Sequence, residues 1–222
     1  MFRSKTRNLI IPQMEHSRLA GTIAGLWGND NFDKPAFSFA SFVTGVTLHD
    51  HGHGYFDMDE IGATEPEEAL DSMKRLVNHR LDDPVAETVA NFHILRLLPL
   101  EEAWHPLIDE CKRQIIAGIE ATQISRDRYE WANRITWLCD SISFDFSFEE
   151  PVQAEIEVSP RKNQDDTIIV RYEIDGQGKI VIDPWPLRGD GYEGLILGYE
   201  ADVYPAKLKP VRVEYLLSKR SC

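Results

Sequence analysis

Three histidines crowd the six positions His49-Asp50-His51-Gly52-His53-Gly54. An imidazole beside a carboxylate offers a divalent cation one nitrogen and one oxygen ligand from adjacent positions. Two ligands do not close a coordination sphere. Further candidates lie far off in sequence, His16 upstream and His93 and Asp140 downstream, each in a stretch with helical periodicity. Each also has a plainer use: His16 on an apolar face suits a core histidine bonded to a carbonyl, and Asp140 suits a cap or a tertiary hydrogen bond. His51 and His53 read as further ligands or as polar loop residues, and His79 and His105 as surface or loop positions.

Helices must bring such distant residues together. After Pro12, Leu19, Ile23 and Leu26 recur at i, i+4 and i+7 with His16 on the same face, until Gly28-Asn29-Asp30 stops the pattern. Phe42, Val46 and His49 align in a second run from Phe39 to about Asp50, which puts the His-Asp pair at a helix end. Glu65-Pro66-Glu67-Glu68 opens a third helix, with acidic residues at its positive end. Asp83-Pro84 opens a fourth that carries Val85, Val89, Phe92 and His93. A fifth spans 101 to 120 and ends near Gly118, and a sixth spans about 125 to 144 and carries Asp140.

From Glu149 onward the period becomes two. Ala154 to Val158, Ile168 to Ile174 and Lys179 to Ile182 alternate, the last two joined by the hairpin signal Asp175-Gly176-Gln177-Gly178. Leu195 to Tyr204 and Val211 to Leu217 supply further strands, and Pro184-Trp185-Pro186 reads as a turn that packs its ring on the core. The expected class is α+β: a helical domain over 1–148 and a C-terminal antiparallel β region over 149–222 packed on it. Residues 8–11, with Leu9-Ile10-Ile11, can add a strand to that sheet.

Composition narrows the partners. The chain has 222 residues, 42% hydrophobic and 27% charged, and its net charge of -13 opposes binding to nucleic acid or an anionic membrane. A small phosphorylated molecule stays compatible through local cations, among which Arg18, Arg75, Arg80 and Arg96 are candidates. Cys111, Cys139 and Cys222 are odd in number and lack C-x-x-C spacing, which points away from a disulfide framework or a thiolate zinc site and toward a cytoplasmic setting. No signal-peptide core and no run of about 20 apolar residues is expected to place the chain in a membrane.

Several strings together resemble one family, the bacterial proteins grouped as domain of unknown function 3891. They are Gln13-x-x-His16 with Leu19-Ala20-Gly21 and Trp27-Gly28, Leu48-His49-Asp50-x-Gly52, Asp83-Pro84-Val85-Ala86 with His93, Leu138-Cys139-Asp140-x-Ile142-Ser143, and Asp183-Pro184-Trp185-Pro186. The order His, His-Asp, His, Asp on helices also resembles the HD superfamily of metal-dependent phosphohydrolases. That resemblance implies an HD-like helical core in which His16, His49, Asp50 and Asp140 hold one ion. His93 resembles the extra histidine that serves a second ion, with Asp50 bridging and so acting as the catalytic residue. The implied cofactor is one or two divalent ions of Mn, Fe, Ni, Co or Zn, and the implied activity is hydrolysis of a phosphate ester by metal-activated water. The same ligands are compatible with a di-iron oxygenase, or with a non-catalytic metal-binding or scaffold protein. The chain departs from the pattern after the pair, where many HD phosphodiesterases place a lysine and this sequence has Gly52-His53-Gly54.

Overall fold

A computed structural model describes residues 1–53, 66–148, 152–161 and 166–220. Gly54 of the histidine run, Glu65 before the third helix, Glu149 at the expected boundary and Cys222 lie outside the described residues.

The helices follow local signals. Helix α1, Gln13–Leu26, follows Pro12 and buries Leu19, Ala20, Ile23 and Ala24. It ends at Trp27, and Gly28 turns the chain away at φ 100°, in the left-handed region that glycine enters without a Cβ clash. Helix α2, Phe39–Thr47, begins where the Ser38 hydroxyl accepts from the Ser41 N–H at 3.3 Å. It stops short of the expected Asp50, so His49 and Asp50 sit in the turn before a short 3-10 stretch, His51–His53. Helix α3 spans Pro66–Asn78 and α4 spans Pro84–Leu97, the latter capped by Asp83 Oδ1, which accepts from the Val85 and Ala86 amides at 2.9 and 3.2 Å. Helix α5, His105–Thr122, runs through Gly118 instead of ending there, because one helical glycine costs only about 1 kcal/mol and tertiary packing outweighs it. Helix α6 is the longest, Arg126–Phe148.

Helix α4 is the central one. Every residue from Thr88 to Ile94 is buried, so α4 is covered all round by α2, α5 and α6. Gly45 lets α2 approach it: a Cβ there would fall 2.6 Å from the Ala86 carbonyl oxygen.

The strands are β1 (Phe2–Arg3), β2 (Leu9–Ile11), β3 (Val152–Val158), β4 (Ile168–Ile174), β5 (Lys179–Asp183), β6 (Gly191–Glu200) and β7 (Pro210–Lys219). They form one seven-stranded sheet in the order β1-β2-β6-β7-β5-β4-β3. Two features correct the expected C-terminal antiparallel sheet. Leu9–Ile11 does pair with β6, but β1 extends the same edge, so two of the strands come from the N-terminus. In addition, β5 and β7 run parallel. The loop after β5 carries the chain past one strand position before β6 begins, and the β6–β7 hairpin then folds β7 back into the gap. That loop holds the Asp183-Pro184-Trp185-Pro186 string and docks on the end of α1, where the Gly28 amide donates to Pro186 O and the Arg188 amide to Leu26 O. Trp185 is half-buried and packs against the core, its indole donating to Gly189 O at 2.7 Å.

Period-two alternation buries Val170, Tyr172 and Ile174 on β4 and Ile180 and Ile182 on β5. Helices α1 and α6 lie against this face; one large buried apolar cluster runs from Phe2 through the helices to Leu217, and a second, smaller one holds Met1, Ile10, Tyr199, Ala201 and Tyr204. Among the described residues no helix is long and apolar enough to cross a membrane.

Candidate metal centre

Five side chains from across the sequence meet between α1, α4, α6 and the turn after α2. His16 comes from the first turns of α1, His49 and Asp50 from the turn after α2, His93 from α4 and Asp140 from α6. All five are buried. His16 Nε2 lies 3.1 Å from Asp140 Oδ1 and 3.5 Å from Asp50 Oδ2, and His49 Nε2 lies 3.3 Å from each of the same two oxygens. His93 stands further back, its Nε2 4.0 Å from Asp50 Oδ1 and its Nδ1 3.8 Å from Asp140 Oδ2. His16, His49 and Asp140 form one group with ligand atoms within 4.8 Å of one another, and His49, Asp50 and His93 form a second.

The outer ring nitrogens set the tautomers. His49 Nδ1 is 2.6 Å from Val46 O, and a carbonyl only accepts, so Nδ1 carries the proton. The Ser143 hydroxyl donates to Asp140 O at 2.9 Å and accepts from His16 Nδ1 at 2.9 Å. In the neutral imidazoles both Nε2 atoms therefore present lone pairs to two carboxylates. His49 Nε2 is buried with no hydrogen-bond partner, and so is His93 Nε2. Lone pairs converging on anions in a buried site repel, and either a proton on His49 or a metal cation between the groups removes the repulsion. Two ligands about 2.1 Å from one ion at ordinary coordination angles stand about 3.0–3.4 Å apart, close to the separations found for His16 and His49. These buried clusters have the donor set and spacing to hold a metal ion.

Titration follows from the same contacts. Burial disfavours a charged His49, but the Asp50 charge and the nearness of Asp140 outweigh it and raise His49 well above the usual imidazole value. Burial likewise opposes ionised Asp50 and Asp140, and the surrounding imidazoles overcome it and hold both carboxyls below their ordinary range. His93 goes the other way: burial, joined by the neighbouring His49, lowers it to about 3.

Access runs over the carboxylates, whose side chains keep 8% and 11% exposure against 1% or less for the three histidines. Phe2 covers His16 with ring centroids 4.9 Å apart, and Phe144 stands beside it at 6.3 Å. Sequence periodicity gave no hint of the Phe2 contact, because β1 is two residues long. Ser143 could have been found from its place three residues after Asp140 on α6, where i and i+3 share a face.

Other sequence candidates fall elsewhere. His53 Nδ1 pairs with Ser72 Oγ at 2.9 Å, and the His51 ring packs on His79 at 4.6 Å; neither joins the clusters. His105 is exposed at the start of α5. Of the four arginines, Arg18 ties Glu15 to the Leu195 carbonyl, Arg80 pairs with Glu87, and Arg75 is exposed. Only Arg96 touches the cluster, through Asp140 Oδ2 at 3.2 Å and His93 Nδ1 at 2.9 Å.

The chain belongs to the family described as Protein of unknown function (DUF3891), whose model matches residues 1–194. No curated protein and no solved structure matches the chain.

Proposed function

We propose that this protein is a metal-dependent phosphohydrolase of the HD-like kind, acting on a small phosphorylated molecule. The observation that carries the reading is the pair of imidazoles locked by Ser143 and Val46 O with their Nε2 atoms aimed at two buried carboxylates. His16, His49, Asp50 and Asp140 would hold one ion, and His93 with Asp50 a second. One or two bound cations would lower the pKa of a coordinated water and so supply a hydroxide for in-line attack on phosphorus. Asp50 suits a bridging role, since Oδ2 faces His16 and His49 while Oδ1 faces His93. Phe2 and Phe144 keep water from the histidine side. Arg96 supplies near the carboxylates the cation that Gly52-His53-Gly54 lacks. Nitrogen and oxygen donors without thiolate suit Mn, Fe, Ni, Co or Zn. A cytoplasmic setting belongs to this reading, and the free, buried Cys111 and Cys139 are consistent with it.

The test is elemental analysis of protein purified without chelator or immobilised nickel, followed by phosphate-release assays on phosphomonoesters and phosphodiesters with Mn or Fe supplied. Metal on the chain and phosphate release that His49→Ala abolishes are expected. Bound iron with a visible absorption band and dioxygen consumption but no phosphate release would favour an oxygenase instead. Metal-free protein that takes up none would leave a scaffold.

A further inference from the structure

Two of the three histidines are oriented by groups that accept their Nδ1 protons, and the third is oriented by a donor. Arg96 Nη2 lies 2.9 Å from His93 Nδ1 and 3.2 Å from Asp140 Oδ2. A guanidinium has only donors, so His93 Nδ1 must accept and the ring proton must sit on Nε2. That tautomer cannot ligate through Nε2. If His93 instead bound an ion through Nε2, its proton would move to Nδ1 and point at the Arg96 donor. If it bound through Nδ1, the guanidinium would stand in the ion's place. Either nitrogen leads to the same conflict. His93 Nε2 is buried without a partner and 4.0 Å from Asp50 Oδ1, so the imidazole gains nothing from its present tautomer on that side.

We propose that Arg96 is an internal cation that closes the second metal position, so that the protein rests with a one-ion site and takes a second ion only when Arg96 is drawn away. The inference rests on the metal reading above. Arg96 is placed to leave: its side chain is 22% exposed, its guanidinium lies over the Trp137 ring at 5.1 Å, and its Nε is buried with no acceptor. Trp137 is itself 42% exposed, so the stacked guanidinium lies where solutes can reach it. An oxyanion arriving there offers bidentate acceptors in exchange for one Asp140 oxygen and one imidazole nitrogen. Once Arg96 turns to the anion, the His93 Nδ1 proton can face Asp140 Oδ2, now 3.8 Å away, and Nε2 is freed as a ligand. A phosphorylated substrate would then complete the centre that acts on it.

The experiment is titration of the chelator-stripped full chain with Mn(II), with free ion read by electron paramagnetic resonance. Wild type should take one equivalent tightly and a second at least about tenfold more weakly, while Arg96→Met, which keeps the aliphatic stem on Trp137, should tighten the second by about tenfold or more. Inorganic phosphate should tighten the second equivalent in wild type and not in Arg96→Met. His93→Gln should remove the second equivalent from both backgrounds. A second measurement needs no variant of Arg96: long-range nitrogen–proton correlation on metal-free wild type should show His93 protonated at Nε2. Two equivalents of equal affinity in wild type, a second equivalent indifferent to Arg96→Met, or a proton on Nδ1 would each overturn the gate. If the first equivalent is present and lost in His49→Ala, such a result leaves the metal site standing; if no variant binds any ion, both readings fall.

Discussion

The helical half and the sheet solve opposite problems. Tyrosines aside, every buried polar or charged side chain among the described residues precedes β3, the last of them being Ser147, whereas β3 to β7 bury Ile156, Val158, Val170, Ile174, Ile180, Ile182, Ile196, Val213 and Leu217. Burying imidazoles and carboxylates costs desolvation, which only partners repay. A strand face filled with aliphatics carries no such cost. The contrast shows where each half spends its stability: the sheet braces α1 and α6, and the helices hold two carboxylates and three histidines in a fixed cluster.

Removing the brace should have the largest effect. A chain ending near Phe148 loses the strands that cover α1 and α6, and we expect an aggregated product in size-exclusion chromatography. A monomeric, metal-loaded fragment would show the helices to be self-sufficient. Ile182→Ala, at a fully buried sheet position, should cost about 2–5 kcal/mol in denaturant unfolding while leaving metal stoichiometry unchanged. Loss of metal there would blur the division between brace and site.

His49→Ala makes the opposite cut. It should remove bound metal in elemental analysis while keeping most of the helical circular dichroism, because His49 lies beyond the end of α2 and its ring serves the cluster. Retained metal would reject His49 as a ligand.

Acidity sharpens the same contrast. His49 is raised, so the metal-free protein keeps its proton above about pH 6.5, whereas His93, lowered to about 3, and the depressed Asp50 and Asp140 are already deprotonated at neutral pH. Metal must therefore displace one proton from His49. Affinity should tighten about tenfold per pH unit on rising through neutrality, and flatten above the raised His49 value. Affinity that does not change between about pH 6 and 7 would contradict this. The smallest effect belongs to Ser143→Ala, which removes the acceptor that holds His16 Nδ1; metal affinity should fall about 10-fold with little change in unfolding.

Much of the fold was legible in the chain because period and punctuation are local. Pro12 and Asp83 start helices where the residue types require it, Gly28 ends one, and alternation from Ala154 to Ile182 marks strands with their buried face. The residue types at His16, His49, Asp50, His93 and Asp140 named a donor set. What sequence could not decide were the relations between distant elements. The parallel pairing of β5 and β7 depends on a loop skipping one strand position, which no local pattern encodes. The contact of Phe2 with His16 depends on β1 reaching the sheet edge. Arg96 was one of four candidate cations alongside Arg18, Arg75 and Arg80 until α4 and α6 packed together and set its guanidinium between His93 and Asp140. Periodicity fixes which face of a helix is buried, and only the packed helices fix which donor meets which ring nitrogen.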